Sequence, residues 1–488
     1  MQSSTGSLKP GSLLVVFTYA PTGLGHLRVA EALYCGLPKD IPHCLLGSDD
    51  QTISTIHRIM SNHPIGHKVM ESTQKGIAED IFTSIYRWML RKDTKNLTYQ
   101  LQTILKQRID QPKNILVIAT HFGLAHKLAA VKNDISVKTG KNIFLVVQVT
   151  DDSPQHIWYV EGADLLIVPS HYTKNKLLQY GKEANLTTVP IIVLPYPISP
   201  EFGCLLGEDD YQRRLREVKP HEKEQTHIIV PISGATVGLP YLVTLIENLA
   251  KLSSRFFFHV VSKQTAYSEP FLRQVARNPS VSIKSSLSDR EVVDYYKSIY
   301  MENIIGLEIT KPSEQSFKTL ITPRDRGGSI LLFTYPVGQQ EHDNLNFMTQ
   351  HKLMPKPSET DIINEAPRAY ARGIFKCFER NPPKHYPTSL KLRGVSAMSH
   401  SFPIKSRFSA KADKLPQNNL ISQAINWRAL RLPNDPSVAS SFIHLCLSQG
   451  IFQQMMRYHL SQSQKNRFPD ELGDDGVKRF WEEVFSRI

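Results

Sequence analysis

The chain of 488 residues carries 58 Lys and Arg against 45 Asp and Glu, a formal net charge of +13, and 41% of it is hydrophobic. That length exceeds one core and calls for two or three domains, while no apolar run approaches the roughly 20 residues that a bilayer crossing demands and the first residues lack a secretory signal pattern. Cys35, Cys44, Cys204, Cys377 and Cys446 are odd in number and lack metal-type spacing, which argues against a disulfide framework and predicts reduced thiols in a cytoplasm.

In chain order, the apolar run Leu13–Phe17 is followed by the turn residues Thr18-Tyr-Ala-Pro-Thr-Gly-Leu-Gly25 and a helical period from His26 that stops at Gly36 and Pro38. This is a strand, a glycine loop and a helix. Residues 52–107 are expected to form a largely helical insertion, with aromatic and basic side chains mixed in the segment Ile81–Arg91. Buried-type strands are predicted at Asn114–Thr120, Ile143–Val149 and Leu165–Val168, each leading into a turn or helix. Three prolines in Leu194–Pro200 mark a boundary, and the charged segment Glu208–Glu224 is a linker or surface helix.

A second α/β series follows. Strands are expected at His227–Ile232, Phe256–Val261, Ile305–Ile309 and Ser329–Phe333, the last of the series, with helices at Tyr241–Leu252, Asp289–Tyr300 and Ser313–Ile321. Continuous apolar strands alternating with helices imply parallel sheets covered on both faces. Beyond Pro355 the period weakens to a helix at Asn364–Arg380, a basic stretch and one or two helices after Pro436. In that stretch Lys391, Arg393, Lys405, Arg407, Lys411, Lys414 and Arg428 face one acid, Asp413, which reads first as a solvated basic loop and next as a contact for acidic lipid. The predicted domains are 1–200, with the insertion at 52–107, then 201–355, and an extension at 356–488.

Parallel α/β sheets bind ligands at the carboxyl ends of their strands. Gly23, Gly25 and His26 sit at such an end, as do His121 and Asp151, and these polar groups could supply a base for an acceptor hydroxyl. In the second half Ser233, Gly234, Ala235 and Thr236 form a small-residue loop before a helix, suited to cradling phosphate. Lys311, Ser313 and Glu314 stand at a strand end and helix start. Gln339, Gln340, Glu341 and Asn344 offer amides and acids suited to several sugar hydroxyls.

These segments, Gly23-Leu-Gly-His26 with Ala30-Glu-Ala-Leu33, Val149-Thr-Asp151 with Ala163–Ser170, Ser233-Gly-Ala, Thr310-Lys-Pro-Ser-Glu314 and Pro336-Val-Gly-Gln-Gln-Glu341, resemble the GT-B glycosyltransferases that include monogalactosyldiacylglycerol synthase and MurG. The resemblance runs over roughly residues 12 to 350. It implies an α/β GT-B fold, two Rossmann-like domains with parallel sheets facing an interdomain cleft, plus a mainly helical or irregular C-terminal extension. It further implies a nucleotide-diphosphate sugar, UDP-linked, held by the second domain and a lipid or lipid-linked acceptor held by the first, with inversion and with no metal or cofactor.

Under that resemblance Glu314 takes the ribose, Ser233 to Thr236 the diphosphate, and Gln340 with Glu341 the donor sugar. Lys311 stabilises the leaving diphosphate, and His26, or else Asp151, is the base. A cytoplasmic protein peripheral on an anionic membrane surface follows from the same likeness, with the segment Tyr86–Arg91 and the basic stretch as contacts. The chain departs from the pattern at Pro21-Thr-Gly-Leu-Gly-His26, at Ile232–Gly238 and at Gln339, where relatives carry more glycine, and each added side chain restricts backbone approach to phosphate. The rival readings are a degenerate relative that binds a nucleotide-sugar or a partner without turnover and a sugar-nucleotide epimerase. Nucleic-acid binding ranks last, because no recognition module accompanies the charge.

Overall fold

The computed structural model describes residues 13–19, 24–47, 76–92, 94–234, 236–356 and 427–488. The first lobe carries a six-stranded parallel sheet in the order β2-β1-β3-β4-β5-β6. Its strands are β1 (Leu13–Tyr19), β2 (His43–Gly47), β3 (Asn114–Ala119), β4 (Asn142–Gln148), β5 (Leu165–Val168) and β6 (Ile191–Val193). Between them run α1 (Leu24–Cys35), α2 (Gly76–Lys92), α3 (Lys95–Gln107), α4 (Phe122–Thr139) and α5 (His171–Glu183).

Along β1 the side chains alternate between two cores. Leu14 and Val16 join Ile115, Val117, Leu101 and Leu128 under α3 and α4, whereas Leu13, Val15 and Phe17 join a cluster on the opposite face. This period of two explains why the strand is apolar at every position.

The second lobe begins with α6 (Glu208–Glu217) and repeats the plan with β7 (Thr226–Pro231), α7 (Leu239–Leu252), β8 (Phe256–Lys263), α8 (Glu269–Val275), β9 (Val281–Ser286), α9 (Asp289–Glu302), β10 (Leu307–Thr310), β11 (Ile330–Phe333) and α10 (Gln339–Gln350). The sequence expectation of a helix at Ser313–Ile321 is met by a 3-10 helix at Glu314–Leu320. Pro312 and the tight packing of Phe317 at its centre favour that short, narrow form.

The series does not end at β11. A three-residue strand, β12 (Ala429–Arg431), pairs parallel to it, so the sheet order is β12-β11-β10-β7-β8-β9. Four helices follow where one or two were expected: α11 (Pro436–Ser448), α12 (Ile451–Met455), α13 (Gln462–Arg467) and α14 (Gly476–Phe485). Arg428, expected in a solvated basic loop, is fully buried and donates to the carbonyls of Ile321 and Ser329. The expected helix at Asn364–Arg380 and the other basic residues of that stretch lie outside the described residues.

Two features join the lobes. Leu24 and Leu27 of α1 pack with Val292, Val293, Tyr296 and Ile299 of α9. Val477, Phe480, Trp481 and Val484 of α14 pack in the cluster that holds Val15 and Phe17 of the first sheet with Leu331 and Phe333 of the second. Among the described residues no helix is long and apolar enough to cross a membrane, and Cys35, Cys44, Cys204 and Cys446 are unpaired.

Candidate functional site between the lobes

In the second sheet the chain runs outward one way through β7, β8 and β9 and the other way through β10, β11 and β12. The switch point between β7 and β10 is where an open α/β sheet leaves a crevice. A cavity of about 450 Å³ lies there, lined by Ser233, Tyr241, Thr310, Lys311, Tyr335 and Asn434 among others. The Ser233 hydroxyl is buried with no protein partner, and α7 opens beside it after Gly238 in the left-handed region. Thr236 also has positive φ, 53°, an uncommon state for a β-branched residue that draws this loop tight. Lys311 faces Glu341 at 3.6 Å. The cavity thus offers a helix N-terminus, a hydroxyl and an ammonium group to an anion, set against apolar walls.

Across the cleft, α1 starts directly after β1, so His26 projects at the edge of the first sheet. Its Nδ1–H donates to the Thr120 carbonyl at 2.7 Å, with Thr150 Oγ1 3.2 Å away. In the neutral ring that bond puts the lone pair on Nε2, the form a general base requires. The ring packs edge-on to His121, centroids 4.8 Å apart. His121 itself is buried and serves as the N-cap of α4, Nδ1 accepting from the Gly123 amide.

Asp151 follows β4 at the same edge. Burial of its carboxyl pushes its pKa up to about 8, opposed by the Asn344 hydrogen bond and reinforced by the Glu314 and Glu341 carboxylates. At neutral pH it therefore holds a proton, and His26 is the better placed acceptor.

Asn344 is fully buried, and its amide is spent on protein. It donates to Asp151 Oδ1 at 2.8 Å and to the Pro312 carbonyl at 3.0 Å, and accepts from the Asp152 amide at 2.8 Å. Ser153 donates to Asp343 beside it at 3.1 Å, and Gln339 donates to the other oxygen of Asp343 at 2.8 Å. Asn344 and its neighbours thus tie α10 of the second lobe to the loop after β4 of the first. Glu341 caps α10 by accepting from the Val337 amide at 2.6 Å, while Gln340 Oε1 is buried with no protein partner.

Glu314 lies in the cleft, but it does not line the switch-point cavity. Its carboxylate takes a 2.5 Å ion pair with Arg28 of α1 and lies against Gly25, where an added Cβ would come within 2.7 Å of Oε2. The structure therefore gathers Gly25, His26, His121, Asp151, Glu314 and Asn344 at the interlobe contact and Ser233 and Lys311 at the adjoining cavity. Ser313 precedes the Glu314 turn, and Gly234 and Thr236 stay in the β7–α7 loop. Gly23 and Ala235 lie outside the described residues.

Sequence reasoning missed Arg28, Tyr241 and Asn434. Arg28 looks like a surface position of an amphipathic helix, and Asn434 comes from a segment whose return to the sheet left no periodic signal.

No family model matches the chain. It is 25% identical over 346 residues to a processive diacylglycerol beta-glucosyltransferase of Bacillus subtilis, a match that covers 68% of this chain and 80% of that protein. Solved structures that align with it include Anabaena HepE with UDP and glucose (TM-score 0.43, 12% identity, 97% of this chain and 100% of that one). A Polygonum tinctorium UDP-glucosyltransferase (0.41, 12%, 97% and 98%) and Acinetobacter baumannii MurG (0.35, 10%, 70% and 84%) align as well. Two parallel sheets facing a cleft and a sequence match of this length agree with the likeness to GT-B glycosyltransferases that the motifs carry along both lobes.

Proposed function

We propose that this chain transfers a sugar from a UDP-linked donor, bound in the second lobe, to a hydroxyl of a lipid acceptor entering from the first, with inversion. The observation that carries the reading is the switch-point cavity with Ser233, Lys311 and the start of α7 on one side of the cleft and His26 on the other. The Bacillus relative, named for glucosyl transfer to diacylglycerol, supports a lipid acceptor. An exposed apolar face on α2 supports it independently: Ile85, Trp88 and Met89 are all at least half exposed, with Lys92 Nζ 3.7 Å above the Trp88 ring. Such a face, edged by bases, suits the interfacial region of an anionic bilayer.

In this mechanism His26 Nε2 takes the proton of the acceptor hydroxyl as the sugar carbon is attacked from the side opposite the diphosphate. Lys311 and the amides at the start of α7 take up charge on the leaving group. The residues present are a cation and a helix N-terminus, which can stabilise a diphosphate without a resident metal.

Incubating the full chain with radiolabelled UDP-glucose and diacylglycerol vesicles should yield labelled glycolipid, and His26→Ala should cut the rate by about a hundredfold or more. A second reading, binding without turnover, is favoured by the Asn344 amide and the Glu314 carboxylate being engaged by protein. Donor binding with no labelled lipid would establish that reading instead.

A further inference from the structure

The switch-point cavity, about 450 Å³ in volume, is larger than two phosphate groups fill, and one of its walls comes from far along the chain: Asn434, just past β12, lines it with Tyr241, Tyr335 and Val337. The backbone on both sides of Asn434 is fixed. The Leu432 amide donates to the Phe333 carbonyl at 2.8 Å, and the Pro433 carbonyl accepts from the Tyr241 hydroxyl at 2.9 Å. The Asp435 carboxylate caps α11 by accepting from the Ser437 and Val438 amides at 2.8 and 2.9 Å. Asn434 itself is exposed, and its carboxamide takes no hydrogen bond among the described residues. An Asn that shapes a turn spends its side chain on nearby backbone. Here Asp435 does that, and the Asn434 amide is left unspent on a rigid post beside the cavity.

We propose that Asn434 sets the sugar specificity of the donor site, its carboxamide hydrogen-bonding hydroxyls of the transferred sugar on the side of the ring away from the reacting carbon. Glu314, to which the motif reading assigns the ribose, lies outside this cavity, whereas Ser233, Lys311 and the start of α7, to which it assigns the diphosphate, line it. The group that continues past the diphosphate into the same cavity is therefore the sugar. A carboxamide both donates and accepts, so it answers a hydroxyl in either role, and the walls of Tyr335 and Val337 suit the C–H face of a pyranose. Two other side chains suited to that task are engaged by protein: Glu341 by the Val337 amide and Lys311, and Asn344 by Asp151 and the Pro312 carbonyl. The inference rests on the donor reading above.

Titration calorimetry on the full chain compares UDP, UDP-glucose and UDP-galactose, the two conjugates differing in the orientation of one hydroxyl. The wild type should bind at least one conjugate more tightly than UDP. Asn434→Ala should weaken that conjugate about tenfold while UDP stays within about twofold of its wild-type affinity. The residue is exposed and none of the bonds that hold its neighbours uses its side chain, so the variant should melt with the wild type.

An Asn434→Ala variant that keeps the advantage of the conjugate, or that weakens UDP to the same degree, would overturn the proposal and leave the donor reading standing. A wild type that binds UDP and both conjugates alike would do the same. Absence of binding by all three to the wild type would remove the donor reading and this inference with it.

Discussion

At the scale of the residue, the cleft shows how burial changes what a side chain can do. Asp151 sits where a base would be useful, yet the protein around it raises its pKa from 3.8 to about 8. Because the native state keeps a proton that the unfolded chain has already lost, stability contributed by this group is complete below about pH 4 and declines as pH rises toward 8. The Glu217 carboxyl, also raised to about 8 by burial, adds a slope of the same sign. Asp151→Asn should therefore reduce, without abolishing, the fall of melting temperature between pH 5 and 8, and identical slopes in the two proteins would contradict the assignment. Asn344 illustrates the converse. Its composition suggests a sugar contact, but an amide with a carboxyl, a carbonyl and a backbone N–H already around it has little left to offer a ligand.

At the scale of the element, legibility followed periodicity. β1, β3, β4, β5, β7, β8 and β11 are continuous apolar runs bounded by turn residues, and each is found close to where the pattern places it. β9 was missed because its six residues Val281–Ser286 alternate apolar with polar at the edge of a sheet. β2, β6 and β12 span five, three and three residues, too few for any period to emerge. The same limit applies to the site. His26, Ser233 and Lys311 stand at strand ends that the pattern could locate, whereas the Arg28–Glu314 pair joins residues 286 positions apart and depends on how the lobes meet.

Helix α2 carries a prediction of its own. Its inner side holds the buried Thr83, Arg87 and Leu90, with Arg87 donating to the Tyr180 hydroxyl and Arg91 paired to Glu161 at 3.0 Å. Ile85, Trp88 and Met89 therefore face outward without a folding role. Trp88→Glu should weaken sedimentation with anionic phospholipid vesicles about tenfold while leaving the melting temperature within a degree or two. Undiminished sedimentation would exclude α2 as the contact.

At the scale of the whole molecule, the two lobes are held by elements far apart in sequence. Trp481 of α14 is buried beside Phe17, rings 6.2 Å apart, and its indole N–H donates to the Leu33 carbonyl at 2.9 Å. Gly36 and Gly476 have no room for a side chain, an added Cβ meeting Val477 and the Pro195 carbonyl respectively. Trp481→Ala should thus lower stability by about 3–5 kcal/mol in denaturant unfolding. A loss under 1 kcal/mol would mean that the terminal helix is peripheral to the fold.

β12 completes the second sheet from Ala429–Arg431, beyond every motif named above. A ribosome that has already made all the recognisable signature segments has still not delivered the strand that covers β11, nor the helix that seals the first lobe. The second sheet is complete only with residues 429–431 in place. A nonsense codon between those segments and β12 would release a product that keeps His26, Ser233 and Lys311, lacks Asn434 of the cavity wall, and presents an unprotected sheet margin, open to aggregation.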